Sequence, residues 1–126
     1  MEARERVVEY YVPLPMGSPA PFGVWRDGYG DQKVRSAIDA RIARLRGGNF
    51  SNSRALGEGV SESKIDLGPG YRIYYGVDGN QVWLLWGGEK SGQDADIATA
   101  KKLWKEHKER KKIASKKPKL QKRSSR

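Results

Sequence analysis

The sequence predicts an α+β fold, in which one twisted antiparallel sheet of about four strands carries helices on a face. Three observations indicate this class. A segment rich in β-branched and aromatic residues near the start predicts a first strand, and an amphipathic helix pattern follows. Three strand-like segments then succeed one another through tight turns. An early strand joined to a later meander is typical of a single sheet with helices against it.

The first half of the chain predicts one strand and two helices. Residues 6–13 predict the strand, and the prolines of residues 13–21 exclude regular structure after it. Ser18 followed by Pro19 predicts the start of a short helix around Phe22 and Trp25, ending near the glycines at 28 and 30. The clearest helix covers residues 31–46, with Asp31 as its cap and an apolar stripe of Val34, Ala37, Ile38, Ile42 and Leu45.

The second half predicts three strands and a final helix. Residues 50–59 are expected to form a loop, and the strands cover residues 60–67, 71–77 and 81–86. Gly68, Pro69 and Gly70 predict a type II turn between the first two strands, and residues 78–80 predict a tight hairpin between the next two. The helix is expected over residues 94–113. Residues 1–113 therefore form the predicted domain, and residues 114–126 form a basic tail that is expected to be disordered.

Composition excludes several kinds of functional site. The chain of 126 residues suits a single domain and contains no cysteine, which excludes disulfides, thiolate metal sites and cysteine nucleophiles. His107 is the single histidine and is expected at the surface or near a helix end. No apolar run is long enough to span a bilayer and no signal peptide is visible. We therefore expect a cytoplasmic protein without membrane contact, metal or cofactor.

The positive charge of the chain is concentrated at its end. Of 25 Lys and Arg residues, 13 lie in residues 101–126, where only Glu106 and Glu109 oppose them. Such a segment attracts polyanions in a salt-dependent way, which suits nucleic acid or the ribosome. The alternative is a merely solvated extension.

Three segments resemble the successive blocks of the HigB-like addiction-module killers, a phage-derived branch of the RelE/ParE toxin superfamily. They are AIDARIARLRGGNF (37–50), GEGVSESKIDLGPGYRIYY (57–75) and LLWGGEKSGQDADIATAKKLW (84–104). The specific part is GPGYR with an aliphatic–aromatic pair, followed by a glycine pair, an acidic residue and K-x-x-Q-x-x-DI-x-x-A. The resemblance covers about residues 21–104.

The resemblance implies a RelE-like sheet with two helices from the first half of the chain on one face and a C-terminal helix. It implies the toxin of a type II toxin–antitoxin system, with cleavage of messenger RNA on the translating ribosome as the usual activity. The cognate antitoxin would be a helix-turn-helix protein. A sister group instead inhibits DNA gyrase, so a non-hydrolytic toxin, or a toxin-fold protein that binds nucleic acid without catalysis, is the alternative.

Strand periodicity places the candidate catalytic residues on one surface. Glu62, Lys64 and Asp66 share a face of one strand, and Arg72 and Tyr74 share a face of the next. Metal-free RNA cleavage needs proton transfer and stabilisation of a charged phosphorane. We therefore assign the scissile phosphate to Arg72, acid–base chemistry or phosphate contact to Lys64, and stacking or a hydrogen bond to Tyr74. Further RNA or phosphate contacts are expected from Lys90, Arg41, Arg44, Lys101 and Lys105. The alternative is cross-strand ion pairing and ordinary sheet contacts.

Some positions depart from the pattern of the relatives. Ser63 and Lys64 stand where close relatives usually carry leucine and arginine. Asp66 stands where ribosome-dependent nucleases often carry a second basic residue, and Ser91 and Ile97 stand where they carry arginine and tyrosine. A reduced, altered or absent nuclease activity is therefore an open alternative.

Overall fold

The fold is a five-stranded sheet with helices on both faces. The structure, a computed structural model, describes the backbone of residues 4–124 and the side chains of residues 4–115. The strands are β1 (Val7–Tyr10), β2 (Ser53–Gly57), β3 (Val60–Ile65), β4 (Tyr71–Asp78) and β5 (Gln81–Glu89). The helices are α1 (Pro21–Asp27), α2 (Gln32–Arg46) and α3 (Gln93–Ser124), with a 3-10 turn at Lys90–Gly92 before α3.

The strand order β1-β5-β4-β3-β2 confirms the α+β class but corrects the sheet. It has five strands rather than four, and it is mixed, because β1 runs parallel to β5 while the other neighbours are antiparallel. The extra strand is β2, which lies in the segment expected to be a loop. Its sequence SRALG has no β-branched residue, so its strand conformation follows from pairing with the open edge of β3.

Helices α1 and α2 cover one face of the sheet, as expected. Their apolar side chains meet those of the strands in one buried cluster, which includes Phe22, Ile38, Leu45, Ile73, Tyr75, Val82 and Leu84. Asp31 caps α2 by accepting a hydrogen bond from the Lys33 backbone N–H at 2.8 Å. The expected helix start at Ser18 and Pro19 is wrong, because α1 begins at Pro21, whose fixed φ suits the first helical position.

Helix α3 covers the opposite face. Its residues Ala100 and Trp104 join Tyr11, Val60, Tyr74 and Leu85 in a second buried cluster. A Cβ on Gly76 would lie 2.6 Å from the Trp104 ring, so this glycine lets the indole approach the sheet backbone. The helix continues to Ser124, past the expected end at Ile113. Side chains beyond Ser115 and the last two residues lie outside the described part, so the separate tail at 114–126 stays a prediction.

Candidate functional site

The register of β3 and β4 brings two of the predicted catalytic residues together. Lys64 and Arg72 are direct cross-strand partners, which confirms that they share a face, the same face that α3 covers farther along the sheet. The loop between the strands turns at Gly70, whose φ of +84° suits glycine. The carbonyl of Gly70 accepts a hydrogen bond from the Lys90 backbone N–H at 3.1 Å. The loop therefore holds the end of β5 beside the β3–β4 pair.

These elements enclose an open pocket of about 340 Å³, which we call the Arg72 pocket. Its polar walls come from Lys64, Asp66, Arg72 and Lys90, and the loop of residues 67–70 completes it. Lys64, Asp66 and Lys90 are exposed, whereas Arg72 is only 5% exposed. Three cations and one carboxylate thus meet in one small volume. The pocket suits an anion with several oxygen atoms, because Arg and Lys donate charge-assisted hydrogen bonds to such groups.

Two donor nitrogens of the Arg72 guanidinium form no hydrogen bond within the described part of the chain. Its Nε lies 3.6 Å from Oε2 of Glu62 without forming a hydrogen bond, and Nε and Nη1 have no hydrogen-bond partner among the described residues. Nη1 lies 3.9 Å from the position that a Cβ on Gly70 would take, at the wall of the pocket. A buried donor without an acceptor is costly, and this cost is relieved when an anion supplies the acceptor.

Glu62 links three elements behind the pocket. This carboxylate is 3% exposed, and its Oε2 pairs with Nη2 of Arg54 on β2 at 3.2 Å as well as with Arg72 on β4. Its Oε1 accepts a hydrogen bond from Nε2 of Gln93, the first residue of α3, at 3.2 Å. Sequence reasoning assigned no functional role to Arg54 or Gln93. The K-x-x-Q pattern contains Gln93 and could have indicated its role. No sequence pattern indicated a role for Arg54, because its strand, β2, was expected to be a loop.

Tyr74 is not part of the pocket, and the expectation that it stacks on RNA or donates to it is wrong for this conformation. Its side chain is 0% exposed and lies beneath α3 in the cluster with Leu85 and Trp104. Burial raises the pKa of its phenol to about 12, so the group stays protonated. Helix α3 decides the difference: it covers Tyr74 but leaves the Arg72 end of β4 open.

Arg41 and Arg44 also lie away from the pocket. Arg41 is buried and donates from Nη1 to Ser63 Oγ at 2.8 Å and to the Lys64 carbonyl at 2.5 Å. Burial, with a smaller contribution from Arg44, lowers the pKa of Arg41. Arg41 therefore fastens α2 to β3 and is not a free RNA contact, which corrects its predicted role. Arg44 is exposed on α2, on the other face of the sheet.

The remaining predicted contacts lie along α3. Lys101 Nζ pairs with Glu58 Oε2 at 3.2 Å, and Lys105 is exposed one turn later. Neither residue lines the Arg72 pocket. Ser91 is exposed in the 3-10 turn, and Ile97 packs against the second cluster. No group of three His, Asp or Glu side chains in the described part of the chain could hold a metal ion.

The two adjacent glycines of β5, Gly87 and Gly88, allow side chains from the helices to approach the strand closely, and we assign them this role rather than anion binding. A Cβ on Gly87 would lie 2.0 Å from Cε3 of Trp25, and a Cβ on Gly88 would lie 1.9 Å from Oδ2 of Asp96. Asp96 Oδ1 accepts a hydrogen bond from Trp86 Nε1 at 2.8 Å. These contacts seat α1 on one face and the start of α3 on the other, next to the Arg72 pocket.

His107 lies in the middle of α3 and is mostly buried, so it is neither a surface residue nor a helix-end residue as expected. Its side chain is 12% exposed, and its ring centre lies 4.8 Å from that of Trp83 and 4.9 Å from that of Trp104. Its Nε2 lies 3.4 Å from Oδ2 of Asp78. The histidine therefore packs α3 against β4 and β5, far along the helix from the pocket.

Comparison with known proteins finds a similar bacterial protein. The chain is 42% identical to an uncharacterised protein of Haemophilus influenzae over 86 residues, which make up 68% of this chain and 87% of the relative. No protein-family model matches the chain, and no solved structure matches it. Within the described residues, none of the helices has the length and apolar character that crossing a membrane requires.

Proposed function

We propose that this chain, which belongs to the same family as the Haemophilus influenzae protein, is the toxin of a type II toxin–antitoxin system and cleaves messenger RNA without a metal ion. The observation that supports a phosphate-directed function is the Arg72 pocket, where a buried guanidinium meets Lys64 and Lys90, and its Nε and Nη1 have no hydrogen-bond partner in the described part of the chain. The resemblance of the GPGYR and K-x-x-Q-x-x-DI segments to HigB-like killers supports RNA on the ribosome as the substrate.

The reaction is a transesterification within the RNA. The ribose 2′-oxygen attacks phosphorus, the bond from phosphorus to the 5′-oxygen breaks, and the products carry a 2′,3′-cyclic phosphate and a 5′-hydroxyl. Asp66 accepts the proton of the 2′-hydroxyl, and the Lys64 ammonium donates a proton to the departing 5′-oxygen. Arg72 and Lys90 hold the phosphate oxygens and stabilise the charge that builds on the phosphorane. Asp66 lines the pocket, whereas Tyr74 does not.

The proposed partner is a helix-turn-helix antitoxin, and the proposed site of action is the cytoplasm. The partner rests on the resemblance, and the site of action rests on the absence of cysteine, which is compatible with a reducing cytoplasm. The basic residues of α3 and of the tail would add salt-dependent contacts with RNA or the ribosome. No cofactor enters the proposed reaction.

A second candidate is a toxin that binds its target without hydrolysis, by poisoning DNA gyrase or holding a nucleic acid. The observation that favours it is the burial of Tyr74 together with Ser91 and Ile97 at positions where nuclease relatives carry arginine and tyrosine. The pocket would then hold a phosphate and cleave nothing.

The test is induction of the wild-type chain in a bacterium, with growth and transcript 5′ ends recorded together. Cleavage predicts growth arrest with new 5′-hydroxyl ends in messages, and Arg72→Ala should abolish both. Arg46→Ala, an exposed arginine of α2, is the matched control and should behave as wild type. Arrest with intact messages and DNA-damage signalling would support the second candidate instead.

A further inference from the structure

The buried carboxylate behind the pocket is unusual for an anion site. Glu62 carries a negative charge close to the place where a phosphate would bind, and it is 3% exposed. Electrostatic repulsion alone would disfavour a carboxylate there. Its pairing with two arginines, Arg54 and Arg72, indicates a task that outweighs this repulsion.

The contacts of Glu62 indicate that task. Oε2 faces the Nε of Arg72 at 3.6 Å, while Nη1 of the same guanidinium lies beside Gly70 at the wall of the pocket. Gln93 holds the other carboxylate oxygen at 3.2 Å. Arg54 balances the charge from the sheet edge at 3.2 Å. The carboxylate is therefore held from two sides and in turn restrains one edge of the guanidinium.

We propose that Glu62 is a positioning residue, which holds the Nε edge of the Arg72 guanidinium so that the other nitrogens face the pocket where the phosphate would bind. Gln93 sets the orientation of Glu62, so the first turn of α3 and the pocket are coupled. This inference rests on the proposed function, since it assigns Glu62 a role in the same reaction. An arginine side chain has many rotamers, and fixing one of them in advance lets it meet a developing charge without reorganising.

The decisive variant is Glu62→Gln, which keeps the shape and an acceptor oxygen but removes the charge. Positioning predicts a fall in kcat of about 10²-fold, since small misplacements of a catalytic group cost that much. KM should stay the same or fall, because the variant lacks the carboxylate charge that repels the phosphate of the RNA. A carboxylate that only weakens anion binding predicts the opposite, an unchanged or higher kcat. Wild-type cleavage by this variant would overturn the proposal.

A second measurement does not depend on cleavage. The Nε–H of Arg72 is followed by NMR while inorganic phosphate is added. In the wild-type chain this signal should be sharp and should shift with a single saturable dependence on phosphate. In Glu62→Gln the Arg72 Nε–H signal should broaden, and its shift with added phosphate should no longer fit binding at a single site. A signal that stays sharp and saturable in the variant refutes positioning even if the wild-type chain cleaves no RNA, whereas absent cleavage with the expected NMR result refutes only the nuclease.

Gln93→Ala keeps the proposal testable if Glu62→Gln does not fold. It removes the restraint on Oε1 and should lower kcat by about 10-fold, with broadening of the same Arg72 signal. Gln32→Ala is the matched control, because Gln32 is likewise the first residue of a helix but lies on α2. Equal effects of the two glutamine variants would contradict the role of Gln93.

Discussion

Replacing Arg72 with methionine should separate stability from activity. Methionine matches the length of the arginine stem but carries no charge. Arg72 is 5% exposed, and its Nε and Nη1 lack hydrogen-bond partners among the described residues. Each buried donor left unsatisfied costs on the order of 1–3 kcal/mol. The substitution removes both donors.

The opposing effect is the loss of attraction to Glu62. The contact is 3.6 Å long and lacks a hydrogen bond, and Glu62 keeps Arg54 and Gln93, each at 3.2 Å. Removing one partner of a buried ion pair costs about 3–5 kcal/mol when the other is left bare, but Glu62 is not left bare here, and the relief of two unsatisfied donors at about 1–3 kcal/mol each opposes the loss. We therefore expect Arg72→Met to leave the free energy of unfolding level or raise it by up to about 2 kcal/mol.

Urea unfolding followed by circular dichroism measures this stability, and single-turnover cleavage of a short RNA measures activity. Cleavage should fall by at least about 10²-fold, the usual loss when a group that stabilises transition-state charge is removed. Arg54→Met is the control, because its side chain is 62% exposed and its pair should be worth under about 1 kcal/mol. A loss of more than about 2 kcal/mol in Arg72→Met would show that Arg72 is chiefly a structural ion-pair partner, and unchanged cleavage would remove it from the reaction.

Three further expectations address the pocket and the fold around it. Asp66→Asn should lower single-turnover cleavage by about 10²–10⁴-fold, since an amide cannot accept the 2′-hydroxyl proton, and a wild-type rate would assign that proton to another group. Gly87→Ala should lower the free energy of unfolding by about 1–3 kcal/mol in urea, because its methyl group would lie 2.0 Å from an indole carbon. Gly30→Ala, with nothing within 4 Å of its methyl group, should stay within about 0.5 kcal/mol of wild type, and equal losses in the two variants would contradict this contact. A hydrogen bond from Lys111 holds the pKa of Asp78 below its ordinary value, so its stabilising effect is present above the unfolded-state pKa and is lost as the pH falls through the folded-state pKa. Asp78→Asn should therefore reduce the loss of urea resistance between about pH 4 and pH 2, and an acid profile like that of wild type would argue against this role.

Local patterns in the sequence were sufficient to predict most elements and part of the site. Period-two alternation placed Lys64 and Arg72 on one face, and the glycines around Pro69 located the turn that makes them cross-strand partners. The cap at Asp31 and the stripe on α2 were also readable, because capping and helical periodicity depend on residues close together in the chain. Strand β2 was not readable, since its five residues include no β-branched side chain and adopt strand geometry by pairing with β3.

Burial was the part that the tertiary structure decided. Arg72 and Tyr74 alternate onto the same face of β4, and nothing local distinguishes their environments. Helix α3 buries Tyr74 with its apolar stripe but starts at Gln93, beside the end of β5, and so leaves Arg72 at the wall of an open pocket. Arg41 likewise turned inward because β3 offered it acceptors. A sequence pattern sets the direction of a side chain relative to its own backbone, whereas the element that arrives opposite determines whether the side chain meets water, a partner or a ligand.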